Sequence, residues 1–291
     1  MPELPEVETI ARGVDARVRG DLIIGAWFGS HREPFKTPPA KQALGLRNRR
    51  ILAVHRTGKH IVVELGRQPD EGARKTSRAD QGSEIAGQWI VHLGMTGRLL
   101  VTTPDAAESK HTHARLTLES GRELRFVDPR RFGRLEFRDF NAHGPAVTGF
   151  KGKGAEPLEI GTAEFAALFR GRKLAIKAAL LNQGLMSGVG NIYADESLFR
   201  AGIRPRRRAG RLTKVELERL RVALKDVLEH AIRLGGSSVS DYVDAEGVRG
   251  FFQLEHCVYQ RTGEPCRTCG SAIRRIVVAG RSTHYCPRCQ R

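Results

Sequence analysis

Apolar Val7, Ile10, Ala11, Val14 and Val18 recur at helical spacing along the first eighteen residues. Proline suits a first helical turn, where its missing N–H has no intrahelical partner. Glu3, Glu6 and Glu8 suit the positive end of a helix macrodipole. The pattern predicts an amphipathic helix that starts at the first residue, with no leader in front. The period then shortens. "DLIIGAWFG", "RILAVHRTGKHIVVEL", "QWIVHLGMTGRLLVTT", "HARLTLES", "RELRFVDP" and "GRLEFRDF" are short apolar or alternating runs punctuated by Gly, Pro, Asn and Asp. They predict a β-sandwich or barrel to about residue 150. Residues 67–88 are polar and aperiodic and are expected to form a surface loop.

A helical period returns near residue 160. "TAEFAALFRG" and "KLAIKAALLNQGL" predict short helices, with "MSGVGNIYADESLF" as a Gly-rich turn among them. Thr213 and Glu216 form a capping box. It opens a longer helix carrying Leu217, Leu220, Leu224, Val227, Leu228 and Ala231, which Gly235-Gly236 ends. The chain then returns to short strands. The expected class is α+β multidomain, divided at 1–150, 151–250 and 251–291.

Composition adds a partner. With 49 Lys and Arg against 32 Asp and Glu, the 291 residues carry +17, which points to a polyanion such as nucleic acid. The charge clusters at Arg47-Asn48-Arg49-Arg50, Arg130-Arg131 and Arg204-Pro205-Arg206-Arg207-Arg208. No run approaches the ~20 apolar residues of a membrane span, and no basic-then-apolar leader precedes the first helix. A cytoplasmic setting is therefore expected, where cysteines serve as metal ligands more often than as disulfides.

Cys266-x2-Cys269 and Cys286-x2-Cys289 flank sixteen residues. This is zinc-ligand spacing, and four thiolates leave no open coordination position, so one Zn2+ with a structural role is expected. Between the pairs "SAIRRIVVAGRSTHY" reads as a β-hairpin with Arg281 near its tip, either a solvated turn residue or a phosphate contact. Cys257 is left over and is expected to be a buried apolar cysteine.

The chain resembles the formamidopyrimidine-DNA glycosylases of base excision repair. "PELPEVE" at 2–8, "TGKH" at 57–60, "HLGMTGRL" at 92–99, "DPRRFG" at 128–133, "GVGNIYADESLF" at 188–199 and the four cysteines carry the resemblance, which spans almost the whole length. It implies an N-terminal helix with a catalytic β-sandwich (1–150), a helical DNA-binding region with a helix–two-turns–helix (151–250) and a zinc finger (251–291). It implies action on double-stranded DNA that contains oxidised bases or abasic sites, near the nucleoid; a monomer is expected, since one enzyme engages one flipped nucleotide and the sequence carries no oligomerisation motif. Residue by residue it makes Pro2, freed of Met1, the nucleophile. Glu3 becomes the general acid/base, Glu6 a supporting carboxylate and Lys59 the lysine beside the lesion. His92, Asn191 and Arg281 match phosphate contacts, and the Gly-rich turn a phosphate cradle. Met95, Arg130 and Phe132 match the residues that fill the gap left by an extruded nucleotide and meet the orphaned base. Read without the other motifs, Glu3 is a first-turn acid, Lys59 a solvated strand-end lysine, and Met95 and Phe132 are core residues.

Two stretches depart from the family pattern. The segment 67–88 is longer than expected. In "GGSSVSDYVDAEGVRG", residues 235–250, Ser240 stands where a basic residue is expected, so no lesion contact is assigned there. Rival readings are an endonuclease VIII-like glycosylase for oxidised pyrimidines, a non-catalytic binder of lesions or DNA junctions, and a zinc-ribbon nucleic-acid-binding protein.

Overall fold

The computed structural model describes residues 1–31, 33–67, 84–140, 149–238 and 243–291. They form two compact units. The first comprises Met1–Pro2, Glu6–Lys151 and Ser238–Gly250. The second comprises Glu3–Pro5, Gly152–Ser237 and Phe251–Arg291.

The first helix, α1, spans Leu4–Val18 rather than starting at the first residue. Pro2 and Glu3 lie ahead of it, and Pro5 is the proline of its first turn. The reason is tertiary: the Leu4 N–H is bonded to Gly188 O at 3.0 Å, so the chain enters the helix only from that point.

In the first unit, eight strands make two antiparallel sheets. One has the order β1 (Ile23–Phe28), β6 (Thr112–Leu118), β7 (Glu123–Val127), β5 (Arg98–Thr102). The other has the order β2 (Ile51–Thr57), β3 (His60–Gly66), β4 (Ile85–His92), β8 (Arg134–Asp139). The apolar residues of both sheets join Val7, Ile10, Ala11, Val14 and Val18 of α1 in one core, as the alternation predicts. A short helix α2, Pro39–Leu46, was not legible in the pattern. Its Gln42 is buried and accepts the Trp89 Nε1–H at 3.1 Å. Strand β4 starts at Ile85, so the expected loop 67–88 ends earlier than the sequence indicates, and 68–83 lie outside the described residues.

The second unit is built on α3 (Thr162–Phe169), α4 (Ile176–Leu181), α5 (Asn191–Arg200) and α6 (Lys214–Arg233). Helix α5 occupies most of the stretch expected to be a turn; only 186–190 are irregular. On α6 every apolar residue predicted to face the core is buried. The capping box is present: Thr213 Oγ1 accepts the Glu216 N–H at 3.2 Å, and Glu216 Oε2 accepts the Thr213 N–H at 2.9 Å. The helix stops where Gly236 donates its N–H to Ala231 O at 2.8 Å. Strands β9 (Arg274–Val278) and β10 (Arg281–Tyr285) form the C-terminal hairpin, closed by the two residues Ala279-Gly280.

Replacing Thr213 with Ala should lower stability by about 1 kcal/mol, the ordinary cost of a lost N-cap. Urea unfolding of the two proteins side by side checks this; an unchanged midpoint would mean that packing alone sets the start of α6.

Candidate functional site

Glu3 is held by the start of α5. Its Oε1 accepts the Ile192 N–H at 3.1 Å and its Oε2 the Tyr193 N–H at 3.4 Å. These are first-turn donors with no partner inside their own helix, and a carboxylate there gains from the macrodipole. Gly190 makes the approach possible. A Cβ on residue 190 would sit 2.2 Å from the Glu3 carboxyl carbon. The "GVGN" turn thus acts on this segment as a clamp. Its Gly188 N–H is taken by Gln183 Oε1 at 3.1 Å, and Gly188 O takes the Leu4 N–H. Of the turn's own N–H groups that of Gly188 is taken by a side chain, while Glu3 takes the N–H groups of Ile192 and Tyr193 just beyond it.

Asn191 and Arg281 share one neighbourhood with Glu3. Asn191 Nδ2 donates to Ser282 O at 2.9 Å, beside the exposed Arg281 on β10. The Asn191 side chain also hydrogen-bonds the Tyr259 hydroxyl. Lys177 Nζ donates to the same carbonyl at 2.9 Å and to Thr283 Oγ1 at 2.9 Å. Its charge is met by Asp195 at 2.7 Å, with both side chains fully buried. Burial pulls the Lys177 ammonium below its ordinary value, against the Asp195 carboxylate that supports it. Asp195 Oδ2 also accepts the His284 N–H at 2.8 Å. Beside it Glu196, fully buried, accepts the N–H groups of Cys257, Val258 and Tyr259 at 2.9 Å each. Sequence reasoning missed Lys177, Asp195 and Glu196. Their signal was charge set among apolar residues of a helical pattern, where a buried charge has to be paired.

The four cysteines are together as expected. Their sulfurs all lie within 4.8 Å of one another, with 3.9 Å from Cys266 to Cys289 and 3.4 Å from Cys269 to Cys286. Tetrahedral Zn–S bonds of about 2.3 Å set sulfur separations near ~3.8 Å, so the donor set fits one structural zinc. Cys257 is half-buried rather than buried, and desolvation first, then the Glu196 carboxylate, push its thiol up.

In the first unit, Lys59 lies in the two-residue turn between β2 and β3 and is buried. Arg56 braces that turn, donating to Gly58 O at 3.1 Å and to Glu8 of α1 at 2.8 Å. Glu6, on the same helix, is buried. Lys59 is close enough to His92 to bias it. Desolvation first, then His60, Lys59 and Arg134, lower His92 from 6.5 to about 4. His92 Nδ1 accepts the Gly94 N–H at 3.1 Å. The ring is therefore neutral at pH 7 with its proton on Nε2, a fixed hydrogen-bond donor.

Met95 and Phe132 are exposed at 43% and 51%, which removes the reading of them as core residues. The Arg130 guanidinium stacks over the Phe132 ring at 4.6 Å. The structure therefore assembles the predicted residues in two sets. Lys59 and His92, with Met95, Arg130 and Phe132 on neighbouring loops, belong to the first unit. Glu3, Asn191, Arg281 and the cysteines belong to the second. Ser240 lies outside the described residues. The basic clusters are partly internal: Arg49 is buried on Gly66 O and Asp139, and Arg207 pairs with Glu216 at 2.5 Å.

Family models match the chain in three consecutive segments. Residues 1–135 match the formamidopyrimidine-DNA glycosylase N-terminal domain, 154–243 the H2TH domain of the same enzymes, and 263–291 a zinc finger found in FPG and IleRS. The formamidopyrimidine-DNA glycosylase of Solibacter usitatus is 45% identical over 291 residues, covering all of both chains. The chain belongs to the formamidopyrimidine-DNA glycosylase family. The Synechococcus enzyme of that name is 40% identical, covering 100% of this chain and 99% of its own. Among solved structures, a mutant Lactococcus lactis FPG bound to Fapy-dG-containing DNA superposes with a TM-score of 0.83 at 31% identity over all of both chains. Thermus thermophilus FPG superposes at 0.79 with 38% identity, over 99% of this chain and 98% of that one. No helix among the described residues is long and apolar enough to cross a membrane.

Two outcomes follow for this family member. Purified protein should hold one zinc per chain by elemental analysis, and Cys266→Ser should lose it. The low His92 value means the unfolded state binds the extra proton between pH 6.5 and 4. Stability is therefore complete above 6.5 and falls toward pH 4, by at most about 1.4 kcal/mol per pH unit for one proton. His92→Gln should flatten that part of the curve in DNA-free unfolding experiments; a curve identical to the parent would mean that His92 is not depressed.

Proposed function

We propose that the protein is a bifunctional DNA glycosylase and abasic-site lyase of base excision repair, removing oxidised purines such as 8-oxoguanine opposite cytosine and formamidopyrimidines. The observation that carries this reading is the clamp on the N-terminus: in a chain of this family, Glu3 and the residue beside it are fixed by the "GVGN" turn. The Lactococcus lactis relatives bound to Fapy-dG-containing and abasic-site DNA support the substrate class. Residues 1–150 act as the catalytic part, 151–250 as the helical DNA-binding part and 251–291 as the zinc finger. The enzyme works as a monomer on DNA in the cytoplasm.

Removal of Met1 frees the secondary amine of Pro2. An α-amino group is far less basic than a lysine, so more of it is neutral near pH 7. Its lone pair attacks C1′ of the damaged nucleotide, and the glycosidic bond breaks with its electrons going to the departing base. Glu3 protonates the ring oxygen, the C1′–O bond opens, and the amine proton is lost as the iminium forms. The iminium acidifies C2′. Loss of that proton expels the 3′ phosphate, a second elimination expels the 5′ phosphate, and water releases Pro2.

Glu6 supports the N-terminus, and Lys59 supplies a compact positive charge at the lesion and its phosphate. His92, Asn191 and Arg281 hold the backbone phosphates. A stacked base cannot be reached by the amine, so the nucleotide is flipped out. Met95 and Phe132 fill the void, and Arg130 donates to the orphaned cytosine. Zinc, when bound, supplies no reaction chemistry; it closes the four-thiolate site and keeps the finger rigid.

Borohydride trapping tests this reading. Duplex DNA with 8-oxoguanine opposite cytosine should give a covalent band that maps to Pro2, absent from Pro2→Gly and strongly reduced in Glu3→Gln. Binding without a band would favour a silent lesion binder. A band only on oxidised-pyrimidine DNA would favour the endonuclease VIII-like reading; a Lactococcus lactis FPG has been seen with such DNA.

A further inference from the structure

Met95, Arg130 and Phe132 come from two separate loops, 92–97 and 128–133, yet one void must receive all three. Asp128 joins the loops. Its side chain is fully buried. Oδ1 accepts the Thr96 hydroxyl at 2.6 Å and the Arg130 N–H at 3.3 Å, and Oδ2 accepts the Gly133 N–H at 2.7 Å. One carboxylate thus holds the residue after Met95, the backbone of Arg130 and the residue after Phe132.

The main chain of Asp128 is fixed as well. Its N–H donates to His111 O at 3.0 Å, and its carbonyl accepts the His113 Nε2–H at 2.9 Å. The second lock is steric. Gly94 has φ +62, and a Cβ there would lie 2.4 Å from the Phe132 carbonyl carbon. The two loops therefore meet at backbone contact, with no side chain between them.

We propose that Asp128 is a positioning residue that makes the two loops one rigid insertion blade, and that discrimination of the base opposite the lesion depends on it. The inference rests on the function proposed above. Arg130 has only donors to offer. Its guanidinium is placed by its own backbone, which Asp128 holds, and by the Phe132 ring beneath it. Cytosine turns two acceptors and one donor to the side once paired with guanine, whereas adenine turns one acceptor and one donor. An Arg130 fixed in place tells them apart; one that drifts finds an acceptor on either.

The test is the ratio of kcat/KM for 8-oxoguanine opposite cytosine to that opposite adenine, in the parent, Thr96→Val and Asp128→Asn, with thermal unfolding as the check on folding. A bidentate base contact is lost when its donors are no longer held in place, so the ratio should fall about tenfold in Asp128→Asn. It should fall by less in Thr96→Val, which loses one of the three side-chain bonds and is the variant to rely on if Asp128→Asn does not fold. Arg130→Ala sets the floor. A parent-like ratio in a folded variant, with only the melting temperature lowered, overturns the proposal and makes Asp128 merely structural. A parent that neither excises the lesion nor traps covalently would instead overturn the function it rests on.

Discussion

The carboxylate of Glu3 on the first turn of α5 is the contact that fixes the start of the chain. Helix starts carry unsatisfied N–H groups, and most are capped by a neighbouring side chain. At α5 the N-cap is Gly190, which has none, so the cap comes from a residue nearly two hundred positions away. With the Leu4 N–H also fixed on Gly188 O, residues 3 and 4 have little freedom left. Pro2 is one peptide unit from that clamp, about 3.8 Å between Cα atoms. Residues beside a chain end are ordinarily among the most mobile of a protein; here residues 3 and 4 are held by the start of a helix and the Gly188 carbonyl.

Much of the formal charge serves the fold before it serves any ligand. Arg204 donates to Gln290 O and Pro287 O at 3.1 Å each, tying the run after α5 to the cysteine knuckle. Arg207 holds Glu216, whose carboxyl that pairing pulls down to about 2. Arg125 gathers the 103–107 turn through Ala106 O at 2.8 Å and pairs with Glu123. The Arg207–Glu216 and Arg125–Glu123 pairs are neutral within themselves, so the surplus of +17 is carried by other basic side chains. It is concentrated where side chains stay exposed, as at Arg130, Arg131 and Arg281.

Elements with a strong period were legible. The apolar stripe of α6, its capping box and its Gly-Gly end all stand where the sequence puts them, because each depends on residues within one or two turns. The alternating strands and the cysteine pairs were legible for the same reason. Helix α5 was not, since "GVGNIYADES" offers no capping side chain and its charged Asp195 and Glu196 break the apolar stripe; both are buried and paired only by distant residues. Helix α2 was hidden by the prolines at its start, Pro38 and Pro39, and by its shortness. The start of α1 was misplaced because the proline that enters the helix is Pro5.

The sequence by itself determined the periods, the zinc ligands and the kinds of side chain available for chemistry, since spacing and residue type are local properties. Tertiary structure decided which charges are internal, which glycines mark backbone contact, and which loops work as one. Asp128 shows the difference. In the chain it is an acid before a proline in a turn. Only the folding of 92–97 against 128–133 makes it the shared acceptor for Thr96, Arg130 and Gly133, because a hydrogen bond depends on distance in space and not on separation in sequence.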